Sequence, residues 1–111
     1  VIIRVDVDQI DVETLERYLG AGAPLIDVRQ PDEYAEAHVA GARLMPMDEL
    51  PERLDEIPTD APVYLICATG RRSDRAAEWL LTQGFDAANV AGGTRAWIEA
   101  GKPTVSGADA G

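Results

Sequence analysis

Val63-Tyr64-Leu65-Ile66-Cys67-Ala68-Thr69-Gly70-Arg71-Arg72-Ser73 runs from an apolar stretch through a short cationic loop into a helical pattern. The turn Asp60-Ala61-Pro62 precedes it, and the apolar part reads as a buried strand ending at Cys67. From Ser73 to Gln83, the residues Ala76, Ala77, Leu80 and Leu81 recur on one side of a helix that stops at Gly84. Strand, tight loop and helix make up the repeating unit of an α/β domain, whose sites lie beyond the carboxyl ends of the strands. The sole cysteine of the chain, Cys67, stands at such an end.

The same alternation extends in both directions. Upstream, Ile3, Val5 and Val7 alternate with Arg4 and Asp6 as in an edge strand, and Asp11 caps a helix whose face is Val12, Leu15 and Leu19. Leu25 to Val28 reads as a short buried strand, and Pro31-Asp32-Glu33 as the first turn of a helix that Gly41 closes. Ala42 to Met45 reads as a strand, and Met47, Leu50, Leu54 and Ile57 fall at helical spacing around Pro51. Downstream, Ala88 to Ala91 reads as a strand and Thr94 to Ala100 as a helix, closed by Gly101 and Pro103. This pattern predicts one domain over residues 1–105 and a small, polar, flexible tail over 106–111.

Composition narrows the function classes. A net charge of -10 argues against nucleic acid and anionic membrane surfaces as partners. No stretch reaches the ~20 apolar residues of a membrane span. A single cysteine excludes an internal disulfide framework and cysteine-rich zinc sites, so no metal and no cofactor is expected. A lone thiol without a visible signal peptide suggests a reducing, cytoplasmic setting, although a start at Val1 without methionine fits a segment of a longer chain.

A cysteine ending an apolar strand is most often a small buried hydrophobe. Such a residue needs neither Gly70 nor the pair Arg71 and Arg72, and cations at a helix start oppose the helix dipole. An anion site accounts for them. N–H groups at the start of the following helix and a tight turn at Gly70 form a cradle that favours thiolate over thiol. Two chemistries use such a thiolate: phosphoryl transfer through a phosphocysteine, and sulfur transfer through a persulfide. Cysteine-dependent phosphatases place arginine sixth after the cysteine; here Arg72 is fifth and Ser73 sixth. The shorter loop suits one sulfur atom better than a tetrahedral phosphoryl group.

The chain resembles the single-domain rhodaneses, a family of sulfurtransferases. Cys67-Ala68-Thr69-Gly70-Arg71-Arg72-Ser73 is similar to the family's active loop, Cys-x-x-Gly-x-Arg followed by Ser. Leu25-Ile26-Asp27-Val28-Arg29, Glu33-Tyr34 and His38-Val39-Ala40-Gly41-Ala42 are similar to its N-terminal signature. Gly92-Gly93-Thr94-Arg95-Ala96-Trp97 and Gly101-Lys102-Pro103 are similar to its C-terminal one. The stretch Ala37-His38-Val39-Ala40-Gly41 departs from the family, which places Gly before the histidine and Pro before the glycine.

The resemblance implies a five-stranded, mostly parallel sheet flanked by helices on both faces. It also implies a double displacement in which Cys67 takes the outer sulfur of thiosulfate and cyanide or a thiol removes it. On this reading Cys67 is the nucleophile, and the N–H groups from Ala68 to Ser73, with Thr69 and Gly70 between, hold the persulfide. Arg71 attracts the anionic donor, and Arg72 holds either the loop or the anion. Asp27 and Arg29 tie neighbouring loops together, and His38 is structural. The expected partners are a small anionic sulfur donor and a thiol or cyanide acceptor, with a protein donor or acceptor as the alternative. A persulfide relay or interaction module with little small-molecule activity is the second reading, and a phosphatase or arsenate reductase the third.

Overall fold

A computed structural model describes residues 5–110. The first strand, β1 (Asp8–Ile10), leads into α1 (Val12–Gly20), whose N-cap Asp11 accepts from Thr14 N at 2.8 Å. There follow β2 (Leu25–Asp27), α2 (Pro31–Glu36), β3 (His38–Val39) and β4 (Arg43–Leu44). Two 3-10 turns, Met47–Glu52 and Leu54–Glu56, precede β5 (Val63–Ile66) and α3 (Arg71–Thr82). The chain then forms β6 (Ala87–Val90), α4 (Gly93–Glu99) and β7 (Thr104–Val105).

The main sheet has the order β1-β6-β5-β2-β4, and every neighbouring pair in it is parallel. The family's five-stranded sheet is therefore present. Side chains alternate between two cores, as strand geometry requires. Val63 and Leu65 join Ala76, Ala77 and Leu80 of α3, while Ile66 joins Leu15 of α1, Tyr34 of α2 and Trp97 of α4. Helices thus cover both faces.

This order also positions the site. From β2 the chain crosses by α2 to β4 on one side; from β5 it crosses by α3 to β6 on the other. The two crossovers leave on opposite faces, so a crevice opens beyond the ends of β2 and β5, at the topological switch point. Asp27 and Cys67 stand at those two ends.

Some local expectations need correction. Ile3 lies outside the described residues, and Val5 and Val7 precede the first strand. Its pairing begins at Asp8, opposite Ala88. The helix expected over Met47 to Ile57 is a pair of 3-10 turns. Pro51 has no N–H for an α-helical bond, and the backbone tightens to bonds such as Arg53 N to Leu50 O at 3.0 Å. Leu50 and Ile57 are still buried there. A second, two-stranded antiparallel sheet joins β3 to β7, pairing His38 with Val105. Residues 106–110 after it contact α2 and β3. Ser106 Oγ donates to Glu36 O at 3.0 Å, and Gly107 N donates to Ala35 O at 2.8 Å.

Candidate active site

Cys67 follows the last residue of β5 and is 1 % exposed. The chain reverses over Ala68 and Thr69 and enters α3 through Gly70, whose φ of +95° lies in the left-handed region. That turn aims the Gly70 N–H at the sulfur, 3.1 Å from Sγ, while the Ser73 hydroxyl lies 3.2 Å away. Burial pushes the Cys67 thiol up. The Ser73 hydroxyl and the N–H groups of Ser73, Thr69 and Gly70 more than offset this, and the thiol ends below its ordinary value of 9.0. The sulfur is therefore the focus of the loop and is prepared to carry negative charge.

A second backbone holds the loop from behind. Thr94 N donates to Cys67 O at 2.9 Å and Arg95 N to Ala68 O at 3.0 Å. This contact explains the glycine at 93: a Cβ there would stand 2.5 Å from Cys67 O and 2.7 Å from Ala68 O. Two backbones thus pack closely at Gly93, and the partner of α4 there is the active loop itself.

Arg71 is exposed at the edge of the loop. Arg72, for which holding the loop and holding the anion were both open, forms a two-pronged pair with Glu33 of α2, both contacts 2.8 Å. The same carboxylate accepts from Gln30 N at 3.1 Å and so also closes the start of α2. The Arg72 guanidinium, with the smaller help of that N–H, holds the Glu33 carboxyl at about 2, well below the usual 4.5. Glu33 stood in the sequence only as a helix-start acid and a signature residue; its role needs the fold, which brings α2 against the loop.

Asp27 and Arg29 form a closed unit beside the loop. Asp27 Oδ1 accepts from Arg29 N and Nε, each at 3.0 Å, Oδ2 accepts from Nη2 at 2.8 Å, and Nη2 also donates to Ala37 O at 2.8 Å. The pair fastens the end of β2 to the end of α2. His38 is fully buried, stacked on Tyr34, with Nδ1 and Nε2 each 2.7 Å from the carbonyl oxygens of Tyr34 and Asp109. It does not reach the sulfur, in keeping with a structural role. Trp97 is buried and donates to Pro103 O at 2.8 Å.

A groove of about 390 Å³ lies between α2 and α4 and reaches the loop at Ala68. Arg29, Glu36, Arg95 and Ile98 line it, together with Thr94, whose buried hydroxyl has no partner. The groove did not stand out in the sequence, where Thr94 opens a helix and belongs to the C-terminal signature. Among the described residues no cluster of His, Cys, Asp and Glu is arranged to hold a metal ion.

The sequence profile of the rhodanese-like domain matches residues 11–100. The chain belongs to the rhodanese family. An uncharacterised protein of Bacillus subtilis, YqhL, is 46% identical over 76 residues, covering 68% of this chain and 60% of that protein, so the chain spans less than two thirds of this relative. A protein of Allochromatium vinosum named sulfurtransferase is 37% identical, over 90% of this chain and 96% of its own length. The crystal structure of a rhodanese-related protein from Thermoplasma volcanium superposes with a TM-score of 0.83 at 34% identity, covering 88% of this chain and 97% of that one. Rhodanese membership and relatives of this kind support sulfur transfer as the general activity, of rhodanese type.

Proposed function

We propose that Cys67 carries one sulfur atom as a persulfide, taken from a small anionic sulfane donor of the thiosulfate type and passed to a thiophilic acceptor, cyanide or a thiol. In the first step the Cys67 thiolate attacks the outer sulfur of the donor. A new S–S bond forms, the donor's own S–S bond breaks, and sulfite leaves with the electron pair. In the second step the acceptor attacks the outer sulfur of the persulfide, and Cys67 leaves as thiolate. No proton has to be removed from a nucleophile already ionised, which agrees with the absence of a histidine at the sulfur.

The observation that carries this reading is the convergence of the loop on one atom, with Gly70 N and Ser73 Oγ at 3.1 and 3.2 Å from Sγ. The same donors stabilise a persulfide anion. Exposed Arg71 attracts the anionic donor across a protein of net charge -10. A thiol that must stay reduced fits a reducing compartment.

One observation favours a larger acceptor. The groove beside Ala68 exceeds what cyanide needs, and Ile98, 50% exposed, stands among its lining residues. A peptidic thiol or a protein acceptor fits such a groove better.

The test is incubation with thiosulfate followed by intact-mass measurement. The expected result is a gain of one sulfur atom that is absent in Cys67→Ser. No gain, or a gain that survives Cys67→Ser, overturns the persulfide. Fast thiocyanate production from thiosulfate and cyanide identifies a small-molecule enzyme; loading without it identifies a relay.

A further inference from the structure

The Ser73 hydroxyl has one proton and two claimants. Its Oγ lies 3.2 Å from Cys67 Sγ and 2.6 Å from Asn89 Oδ1. A hydroxyl donates once and accepts up to twice. Asn89 Nδ2 donates to Gln9 Oε1 at 2.7 Å and to Gly70 O at 3.0 Å, so its carbonyl is left facing Ser73. Gln9 is oriented in turn, because its Nε2 donates to Asp74 Oδ1 at 2.7 Å and to Val7 O at 3.2 Å. A carboxylate only accepts. The direction of the chain is therefore set from Asp74 inward: Gln9 donates to Asp74, Asn89 to Gln9, and Ser73 to Asn89. The only proton left for the contact between residues 67 and 73 is the thiol's own.

We propose that Asn89 is a positioning residue for the nucleophile: it holds the Ser73 hydroxyl turned away from the sulfur, and that hydroxyl turns to Cys67 only when the sulfur carries negative charge. In the thiol state Cys67 S–H donates to Ser73 Oγ. When the thiol ionises, its proton leaves to solvent and the electron pair stays on sulfur. Ser73 then donates to Sγ, and Asn89 Oδ1 gives up its donor. Ser73 and Asn89 are 0 % and 2 % exposed, so water is not at hand to replace the lost bond. The amide chain thus opposes thiolate formation and sets how readily the loop ionises its sulfur.

The other charged groups around the loop are constant in this comparison. Arg71, Arg72 and Asp74 stand in the first turn of α3, Glu33 of α2 is paired with Arg72, Arg95 of α4 packs behind Ala68, and Asp27 at the end of β2 is paired with Arg29. Substitution at Asn89 or Ser73 changes none of these charges.

The inference rests on the sulfur of the proposed function but is read on the free thiol. Alkylation by iodoacetamide needs no sulfur donor, so it can fail while persulfide loading succeeds, and the reverse. The experiment is the pH dependence of the alkylation rate in wild type, Asn89→Leu, Ser73→Ala and the double variant. Asn89→Leu is expected to lower the midpoint by about one pH unit, roughly tenfold more thiolate at a fixed lower pH. Ser73→Ala is expected to cancel that fall. An unchanged or raised midpoint in Asn89→Leu, or an equal fall without Ser73, overturns the proposal. Gln9→Leu, at an exposed edge position, serves if Asn89→Leu does not fold. A smaller fall that requires Ser73 supports the chain; no fall, or one independent of Ser73, overturns it.

Discussion

The Asp27–Arg29 pair at the end of β2 and the Cys67 loop after β5 occupy adjacent strand ends, and they are satisfied in opposite ways. In the pair, each carboxylate oxygen meets guanidinium or backbone donors, and the guanidinium has a further acceptor in Ala37 O. In the loop, N–H groups and a hydroxyl gather on one sulfur atom that a core cysteine would not need. A closed pair fastens the frame, whereas a surplus of donors around one atom is a place for charge to appear. Both are buried, so burial alone does not separate the structural group from the reactive one.

The contrast is tested most severely at the sulfur. Cys67→Ser is expected to abolish persulfide formation while leaving the melting temperature near that of wild type, measured by intact mass and thermal unfolding. Gly93→Ala comes next: its Cβ would drive into the carbonyl oxygens of Cys67 and Ala68. Sulfur loading is expected to fall by more than tenfold, about 1.4 kcal/mol or more in the barrier, in protein that circular dichroism reports as folded. At the pair the expectation is reversed. Asp27→Asn leaves the buried Arg29 charge without its counterion and is expected to cost about 3–5 kcal/mol in urea unfolding, with loading per folded molecule largely kept. A loss of loading larger than the loss of stability would make the pair part of the chemistry.

Two pH profiles sharpen the comparison further. Alkylation of Cys67 is expected to rise with pH and level off with a midpoint below 9.0, since the donors of the loop favour the charged form. Glu33 gives the smallest effect. Its folded value of about 2 lies below the usual 4.5, so its pairing with Arg72 stabilises fully above 4.5 and is lost as pH falls towards 2. Glu33→Gln is expected to flatten that acid limb and, because the pair is partly exposed, to cost at most about 1 kcal/mol at neutral pH.

Local signals were legible in the sequence, and partners distant along the chain were not. Strand, tight loop and helix from Val63 to Gln83 are encoded within twenty-odd residues, by an apolar run, Gly70 and a helical stripe. The loop itself marked Cys67 as a nucleophile, and the family motifs added the five-stranded sheet and the sulfur-transfer chemistry. Glu33 and Arg72 meet across 39 residues, and Gln9 and Asn89 across 80. Neither member of those pairs carries a pattern that names the other. The β3–β7 pairing escaped for a related reason: strands of two residues have no periodicity to read. Pro51 misled only partly, since a 3-10 turn keeps apolar residues on one side while changing the backbone bonds.

The position of β5 has one more consequence. It is the central strand, flanked by β2 and β6, with Val63, Leu65 and Ile66 wholly inaccessible. Its amide hydrogens can trade for deuterium only through openings that split the sheet down the middle. The Gly70 amide, buried at the start of α3, has Sγ as its acceptor. Deuterium uptake should therefore step sharply at residue 67, and the rates at the loop amides of Thr69, Gly70 and Ser73 should follow the charge on Cys67.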